Sequence, residues 1–134
     1  MSTRRQFLVT AALAGAAAVA GVVPAVAMKV AASKYPGVVY TAQDQGKWEG
    51  KGAIHAPLVI IEDGKLTIMT PHSMSQDHFI VRHTLVALDG TVLGAKTFAP
   101  TDKPLSEYDL PGKGRFIATS FCNLHDLWVT EFLA

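Results

Sequence analysis

Two Asp-Gly pairs constrain the fold of this chain more than any other feature of its sequence. Asp63-Gly64 separates β-patterned runs at residues 57–62 and 65–69, and Asp89-Gly90 separates runs at residues 79–88 and 91–98. An Asp-Gly pair between two such runs is a strong hairpin signal, because Asp and Gly tolerate the positive φ angles that tight hairpin turns require. The sequence therefore predicts two β-hairpins in the middle of the chain.

The C-terminal part of the chain continues the β pattern. Residues 115–121 and 127–132 are predicted to form two more strands, preceded by a proline-containing connection over residues 99–111. Residues 28–50 are expected to hold few fixed elements, and residues 46–52 resemble a mobile glycine-punctuated loop. No segment after residue 27 shows a sustained helical period. We therefore predict an all-β antiparallel sandwich of about seven strands, whose loops can gather distant residues at one end.

The first 27 residues have the features of an export signal. Arg4 and Arg5 form a twin-arginine start, an apolar Ala/Gly/Val run follows, and Ala25-Val26-Ala27 offers a cleavage site. The alternative is an uncleaved membrane anchor, although the small residues of this run are only mildly hydrophobic. We expect residues 1–27 to be a cleaved twin-arginine signal peptide, residues 28–52 an N-terminal extension and loop, and residues 53–134 the functional domain of a periplasmic or otherwise exported protein.

Charge and length narrow the class of protein. The chain has 12 basic and 11 acidic residues, and loss of the signal with Arg4 and Arg5 leaves a net charge of −1. This balance argues against nucleic-acid binding. The part that follows the signal is long enough for one small domain with its own core, and too short for a second.

The only cysteine stands close to a histidine. Cys122 has no intramolecular disulfide partner, so in an exported protein it is a buried thiol, an intermolecular link or a functional group. His125 follows it, and three upstream histidines lie at predicted element edges, where sites are built. These upstream residues are His55, His72 and His78. A metal site formed by the cysteine and four histidines is the favoured interpretation, whereas His83, on the opposite strand face by period-two counting, is predicted to be non-ligating.

The composition of this ligand group favours iron over zinc and copper. Structural zinc prefers four ligands that are mostly thiolates, and one Cys with four His exceeds that number. Blue-copper sites use two His, one Cys and a weak axial Met. That Met normally follows the Cys-to-His segment closely, and this chain has no Met after Met74. Five ligands of this kind suit a mononuclear iron with one position open.

At this point the residues carry a specific resemblance. The element Cys122-Asn123-Leu124-His125-x-Leu127-Trp128, with the upstream histidines, resembles the superoxide reductase family of the neelaredoxin and desulfoferrodoxin type, in its one-iron class. The resemblance implies an immunoglobulin-like β-sandwich in which four histidines surround a mononuclear iron that cycles between Fe²⁺ and Fe³⁺, with an axial cysteine thiolate. On this basis His55, His72, His78 and His125 are the equatorial ligands and Cys122 is the axial one.

The same resemblance implies the activity and the partners. Superoxide is reduced by one electron to hydrogen peroxide, and an external electron donor of unspecified identity restores the iron. Related proteins often form dimers or tetramers, so a homo-oligomer is a further expectation. Proton supply is expected to come from water.

Three positions depart from the family pattern. Many members have a Glu-Lys pair before the first histidine, whose Lys attracts superoxide, and this chain has Ala53-Ile54 there. Lys51, four residues before His55, is the candidate substitute for steering the anion. The common His-Pro-Met is His72-Ser73-Met74, and the usual Gly after the second motif histidine is Asp126, which puts a carboxylate near the site.

Two other functions remain open at this stage. The same residues would serve an exported iron or copper electron-transfer protein that does not turn over superoxide. A metal-free immunoglobulin-like module that binds a partner is the second alternative, because a fold does not fix a function. Replacement of Cys122 by Ser separates this module from the metal proteins, since a binding module should keep its function.

Overall fold

The protein is a sandwich of two β-sheets. The computed structural model describes residues 35–134 and the backbone of residues 23–24. Its elements in chain order are β1 (Val23–Pro24), β2 (Val39–Tyr40), a 3-10 turn (Gly46–Trp48), a one-turn helix α1 (Gly52–His55), β3 (Leu58–Glu62), β4 (Lys65–Met69), β5 (Ile80–Ala87), β6 (Val92–Thr97), β7 (Leu105–Asp109), β8 (Arg115–Cys122) and β9 (Asp126–Leu133). The predicted all-β, immunoglobulin-like sandwich is confirmed, and the strands of five residues or more number seven among those described.

The strand order places the hairpin β3-β4 in one sheet and the hairpins β5-β6 and β8-β9 in the other. The first sheet has the order β1-β3-β4-β7, and the second has the order β2-β9-β8-β5-β6. The pairings are antiparallel except that of the two-residue strand β2, which runs parallel to β9. From β2 onward, the chain therefore crosses between the sheets after β2, after β4, after β6 and after β7.

Both predicted hairpins are confirmed. Asp63 and Gly64 have φ angles of 51° and 75°, the two positive values of a type I′ turn, and Glu62 pairs with Lys65 across them. In the second hairpin Gly90 has a φ of 92°, and its backbone N–H donates to the carbonyl of Ala87 at 2.9 Å. The Asp-Gly signals therefore located both turns correctly.

The prediction of a plain connection over residues 99–111 was wrong. Residues Leu105–Asp109 form strand β7, which pairs with β4 over its whole length. The apolar Leu105 of this strand is exposed, while the polar Ser106 is buried. An apolar alternation rule misses such a strand, because its buried positions do not follow hydrophobicity.

The described part of residues 28–50 holds two short elements, β2 and the 3-10 turn, as the expectation of few fixed elements predicts. The side-chain carbonyl of Gln45 accepts hydrogen bonds from the backbone N–H groups of Gly50 and Gly52, each at 2.9 Å. These bonds join the 3-10 turn to α1. Trp48 packs against a buried cluster that contains Tyr40 and Trp128. The glycine-rich loop is thus tied to the sandwich by one amide side chain and one indole.

The main core lies between the sheets and away from the loops that carry the histidines. Leu66 and Ile68 of the first sheet pack against Leu85, Phe116 and Phe132 of the second sheet. Full burial of a side chain of this size contributes roughly 1.5–3 kcal/mol. This core fixes the two sheets against each other, so that the loops at one end are held at a constant separation.

The predicted signal peptide lies outside the described residues, apart from Val23–Pro24. The backbone of these two residues pairs with β3, opposite Ile61 and Ile60. Within the described part of the chain, no helix has the length and apolar character needed to cross a membrane.

Candidate metal centre

The first sheet supplies two of the predicted ligands. His55 ends α1, one turn before β3, and its Nδ1 lies 2.9 Å from the backbone carbonyl of Lys51. His72 follows β4, and its Nδ1 is hydrogen-bonded to the backbone carbonyl of Ser73. In both residues the bonded Nδ1 leaves Nε2 as the nitrogen available to a metal. Such a carbonyl contact fixes the tautomer and the orientation of a ligating ring.

The second sheet supplies the other three. Cys122 ends β8, His125 lies in the turn before β9, and His78 stands in the loop that enters β5. Asn123 joins these loops, because its Oδ1 accepts from the backbone N–H of Phe79 and its Nδ2 donates to the carbonyl of Asp77, both at 3.0 Å. The motif asparagine therefore holds the segment of His78 against the Cys122 turn.

The five side chains converge. Ligand atoms of His55, His72, His78 and Cys122 all lie within 4.8 Å of one another. Nε2 of His78 is 3.1 Å from Nε2 of His72 and 3.0 Å from Nδ1 of His125, and the latter atom is 3.7 Å from the sulfur of Cys122. Two nitrogens about 2.1 Å from one metal and at right angles to each other would lie about 3.0 Å apart. The spacing of these rings is that of neighbouring ligands.

One buried nitrogen of this group has no partner. Nε2 of His55 is inaccessible to solvent and makes no hydrogen bond within the described residues. The ring stacks at 5.7 Å on Trp128, which is fully buried. An unsatisfied buried polar atom costs about 1–3 kcal/mol. A metal that accepts this nitrogen as a ligand would remove that cost, so the residues fit a bound metal ion.

The protonation states also suit metal binding. Burial lowers the pKa of His55 to about 4, and burial likewise lowers the pKa of His72. Burial lowers the pKa of His125, and the charges of His78 and Lys51 lower it further. Neutral imidazole is the form that binds metals. Burial raises the pKa of the Cys122 thiol, against the backbone N–H groups of Leu124 and His125 that favour its thiolate.

Trp48 and Asp126 contact each other beside His125, and the sequence did not predict this contact. The Trp48 ring meets the His125 ring edge-on at 4.6 Å, and its Nε1–H donates to Oδ2 of Asp126 at 2.9 Å. Asp126 has a φ of 67°, in the left-handed region where glycine is normally preferred. The usual family Gly at this position is the signal for that backbone conformation, and Asp is among the residues that tolerate it.

Lys47 and Lys51, the two lysines of the loop before His55, make different contacts. Lys47 lies 3.7 Å from Oδ2 of Asp126, and its ammonium stands over the Trp48 ring at 5.1 Å. Lys51 is exposed and starts the turn that carries His55, and its charge acts on His125. The backbone carbonyl of Lys51 thus contacts His55, whereas the ammonium of Lys47 is paired with a carboxylate.

His83 lies in the core, outside this cluster. Its Nε2 is 2.8 Å from Oγ1 of Thr70, and its Nδ1 is 2.9 Å from Oγ of Ser106. Met74 accepts a hydrogen bond on its sulfur from the backbone N–H of Ile80 at 3.3 Å.

Comparison with known proteins supports the family that the motif indicates. The model of the desulfoferrodoxin family matches residues 47–131. No curated protein sequence matches the chain. Among solved structures, a variant of the superoxide reductase (neelaredoxin) from Ignicoccus hospitalis is 23% identical with a TM-score of 0.64, over 79% of this chain and 97% of that chain.

Two further solved structures share the fold. The superoxide reductase from Nanoarchaeum equitans is 28% identical with a TM-score of 0.50, over 61% of this chain and 94% of that one. The 1Fe superoxide reductase from Giardia intestinalis is 18% identical with a TM-score of 0.53, over 60% and 97%. The family match and these neighbours support an oxidoreductase that acts on superoxide. By the extent of the match, which includes every residue of the cluster, the chain belongs to the desulfoferrodoxin family.

Proposed function

We propose that this protein is a superoxide reductase with a mononuclear iron held by His55, His72, His78, His125 and Cys122. The observation that carries the proposal is the convergence of four of these side chains, those of His55, His72, His78 and Cys122, in which a buried ring nitrogen of His55 has no other partner. The reaction reduces superoxide by one electron and, with two protons from water, releases hydrogen peroxide. When bound, the iron would supply that electron, and an external one-electron donor would restore it.

Cys122 tunes the site in this proposal. Its sulfur is buried and receives hydrogen bonds from the backbone N–H groups of Leu124 and His125. These donors stabilise negative charge on the sulfur and hold its direction. When the iron is bound, a thiolate ligand would donate electron density to it, as thiolates do in some haem proteins.

The exposure of the cluster suits a small substrate. His55 and His72 are buried, whereas His78 and His125 are partly exposed. A diatomic anion can therefore approach past the two exposed rings while the two buried rings and the sulfur stay shielded from solvent. The external electron donor would approach from the same side.

Lys51 takes over the attraction of superoxide in this proposal. The family lysine is replaced by Ile54, whose side chain is 48% exposed and carries no charge. The ammonium of Lys51 is near enough to His125 to influence its pKa. A positive charge at the mouth of a site raises the capture rate of an anion, and salt screens this effect.

The Lys51 assignment is tested by the salt dependence of the second-order rate. Lys51→Ala should lower the rate at low ionic strength and flatten its dependence on salt. The matched control is Lys65→Ala, which removes the same charge at the start of β4, the end of that strand farthest from His72. Equal salt slopes in the wild type and the Lys51 variant would reject the assignment.

The function itself is tested by metal analysis followed by rapid mixing with superoxide. One iron per chain, a red absorption band from the ferric thiolate and fast formation of peroxide are expected. Copper in place of iron, or iron without superoxide turnover, would favour an electron-transfer protein. A protein that binds no metal would favour the partner-binding module.

We also propose that the protein is exported through the twin-arginine route. The support is Arg4 and Arg5 before an apolar run that ends in Ala25-Val26-Ala27. Replacement of both arginines by lysine should keep the protein in the cytoplasm. Mass measurement of the N-terminus of the exported protein distinguishes a cleaved signal from a retained anchor.

A further inference from the structure

A buried hydrogen-bonded chain crosses the core next to the metal centre. Nδ1 of His83 lies 2.9 Å from Oγ of Ser106, which also accepts a hydrogen bond from the hydroxyl of Tyr108 at 2.9 Å. On the other side, Nε2 of His83 lies 2.8 Å from Oγ1 of Thr70, which is 2.7 Å from Oγ of Ser120. The exposed fraction of the middle four residues is 2% or less.

Every contact in this hydrogen-bonded series has one donor and one acceptor in a single consistent assignment. Tyr108 donates to Ser106, Ser106 donates to Nδ1 of His83, and the Nε2–H of His83 donates to Thr70, which donates to Ser120. Burial lowers the pKa of His83 to about 4, so the ring is neutral at pH 7, as this assignment requires. Fully satisfied buried networks restrict a core to one arrangement, because partial loss leaves costly unpaired groups.

This series of hydrogen bonds joins the two sheets close to the point where each sheet carries a proposed metal ligand. Thr70 directly follows β4, and its carbonyl accepts the backbone N–H of His72 at 2.8 Å. Ser120 lies two positions before Cys122 on β8, directly opposite His83 of β5. Ser106 lies on β7 and pairs with Ile68 of β4. His83 therefore connects the first sheet, which supplies His72, to the strand of the second sheet that supplies Cys122.

We infer that His83 is a positioning residue for the metal centre, which sets the separation between the ligands of the first sheet and the thiolate of the second sheet. This inference rests on the proposed metal-binding function. His83 is not itself a metal ligand in this inference, because both of its ring nitrogens are hydrogen-bonded to hydroxyl groups. Its effect on the metal passes through Thr70 to His72 and through Ser120 to Cys122.

Metal affinity measures this effect directly. We expect His83→Leu to weaken binding of Co²⁺ by about 10-fold, the lower end of the range for groups that orient ligands. The thiolate-to-cobalt absorption band should shift at the same time. Ser106→Ala breaks the chain at a second point and should act in the same direction. His83→Gln, which can still reach one of the two hydroxyls, should recover part of the affinity.

The control is Thr84→Val, on the same pair of strands. Thr84 is bonded to Thr119 on the opposite face of β5 and β8, so its loss removes a hydroxyl contact without touching the His83 chain. A purely structural His83 would lower the free energy of unfolding in the variant and leave the Co²⁺ affinity and spectrum equal to those of Thr84→Val. That result would overturn the inference.

Amide hydrogen exchange of the metal-free protein separates this inference from the proposed function. His83→Leu should speed exchange of the backbone N–H of His72 relative to that of Leu85 in the main core. If the wild type binds no Co²⁺ or Fe²⁺, the proposed function fails, and unchanged exchange at His72 would then reject the positioning role as well. Faster exchange at His72 with unchanged metal affinity would equally overturn it.

Discussion

The metal-site histidines and the core histidine His83 show two ways of burying an imidazole. Burial lowers the pKa of His55 and of His83 to about 4, so both rings are neutral at pH 7. Both nitrogens of His83 meet hydroxyl groups, whereas Nε2 of His55 meets no partner among the described residues. Burial and pKa are therefore alike in the two places, and the partner of the second nitrogen distinguishes the proposed ligand His55 from the structural residue His83.

The difference has an energetic meaning. A buried nitrogen without a partner costs about 1–3 kcal/mol, which the metal-free fold must bear. The same nitrogen becomes favourable when a metal binds, so the cost is returned as binding free energy. At His83 there is no such cost, and the ring stabilises the fold with or without a metal.

The largest test of the comparison is loss of the thiolate. Cys122→Ser keeps the four imidazoles and a side chain of nearly the same size, but replaces the sulfur. We expect the rate of superoxide reduction to fall by at least about 100-fold and the red absorption band to disappear. Loss of a residue that only hydrogen-bonds a metal ligand costs about 10–100-fold, and loss of a ligand should cost more. Circular dichroism checks that the sandwich is intact. Unchanged function in this variant would instead support a partner-binding module.

Acid unfolding tests the His83 side of the comparison. The pKa of His83 is about 4 in the folded state and about 6.5 when unfolded, so its stabilisation is complete above pH 6.5 and is lost as the pH falls towards 4. The nearby positive charge of Lys96 acts in the same direction as burial. The difference between the folded and unfolded pKa values corresponds to a loss of about 3 kcal/mol in the free energy of unfolding.

Denaturant unfolding of the metal-free protein measures that change. His83→Leu should lose about 3 kcal/mol less than the wild type between pH 7 and pH 4, because it has no ring to protonate. Thr84→Val should follow the wild type over the same range. Parallel curves for all three proteins would show that the pKa of His83 is not lowered in the folded state.

A smaller effect is expected at Asn123, which holds the loop of His78 against the Cys122 turn. Asn123→Ala removes both side-chain bonds and should weaken Fe²⁺ binding by about 10-fold. Leu124→Ala is the control, since the neighbouring side chain is 53% exposed. Equal Fe²⁺ dissociation constants in the two variants would show that the turn is held by its backbone alone.

The smallest effect is expected at Trp48. Trp48→Phe keeps a ring against His125 but removes the donor to Asp126, and should lower the free energy of unfolding by about 1 kcal/mol. Thermal unfolding of the metal-free protein measures this loss. An unchanged midpoint would indicate that Lys47 alone satisfies the Asp126 carboxylate.

Much of this architecture could be predicted from local signals. The Asp-Gly pairs located two hairpins because the positive φ of their turns is a property of single residues. The ligands were proposed from residue type and spacing, and the structure brings His55, His72, His78 and Cys122 together. Neither inference needed information about distant contacts.

The missed elements depend on partners that are far away in the sequence. Strand β7 was not predicted, because its buried residue Ser106 is polar and is hydrogen-bonded to His83. The hydrogen bonds that hold the loop before His55 were not predicted, because they come from the side chain of Gln45, which accepts from the backbone N–H groups of Gly50 and Gly52. The contact between Trp48 and Asp126 spans 78 positions, and no local pattern carries it.

The ligand cluster draws on both sheets, and its first and last histidines are positions 55 and 125. In the proposed site, no partly folded chain that lacks either sheet can present the full set, so iron capture would come after the sheets have docked. Iron occupancy then reports on the folding of the entire domain. Any substitution that raises the unfolded fraction lowers the occupancy by mass action, even when it lies at the opposite end of the sandwich.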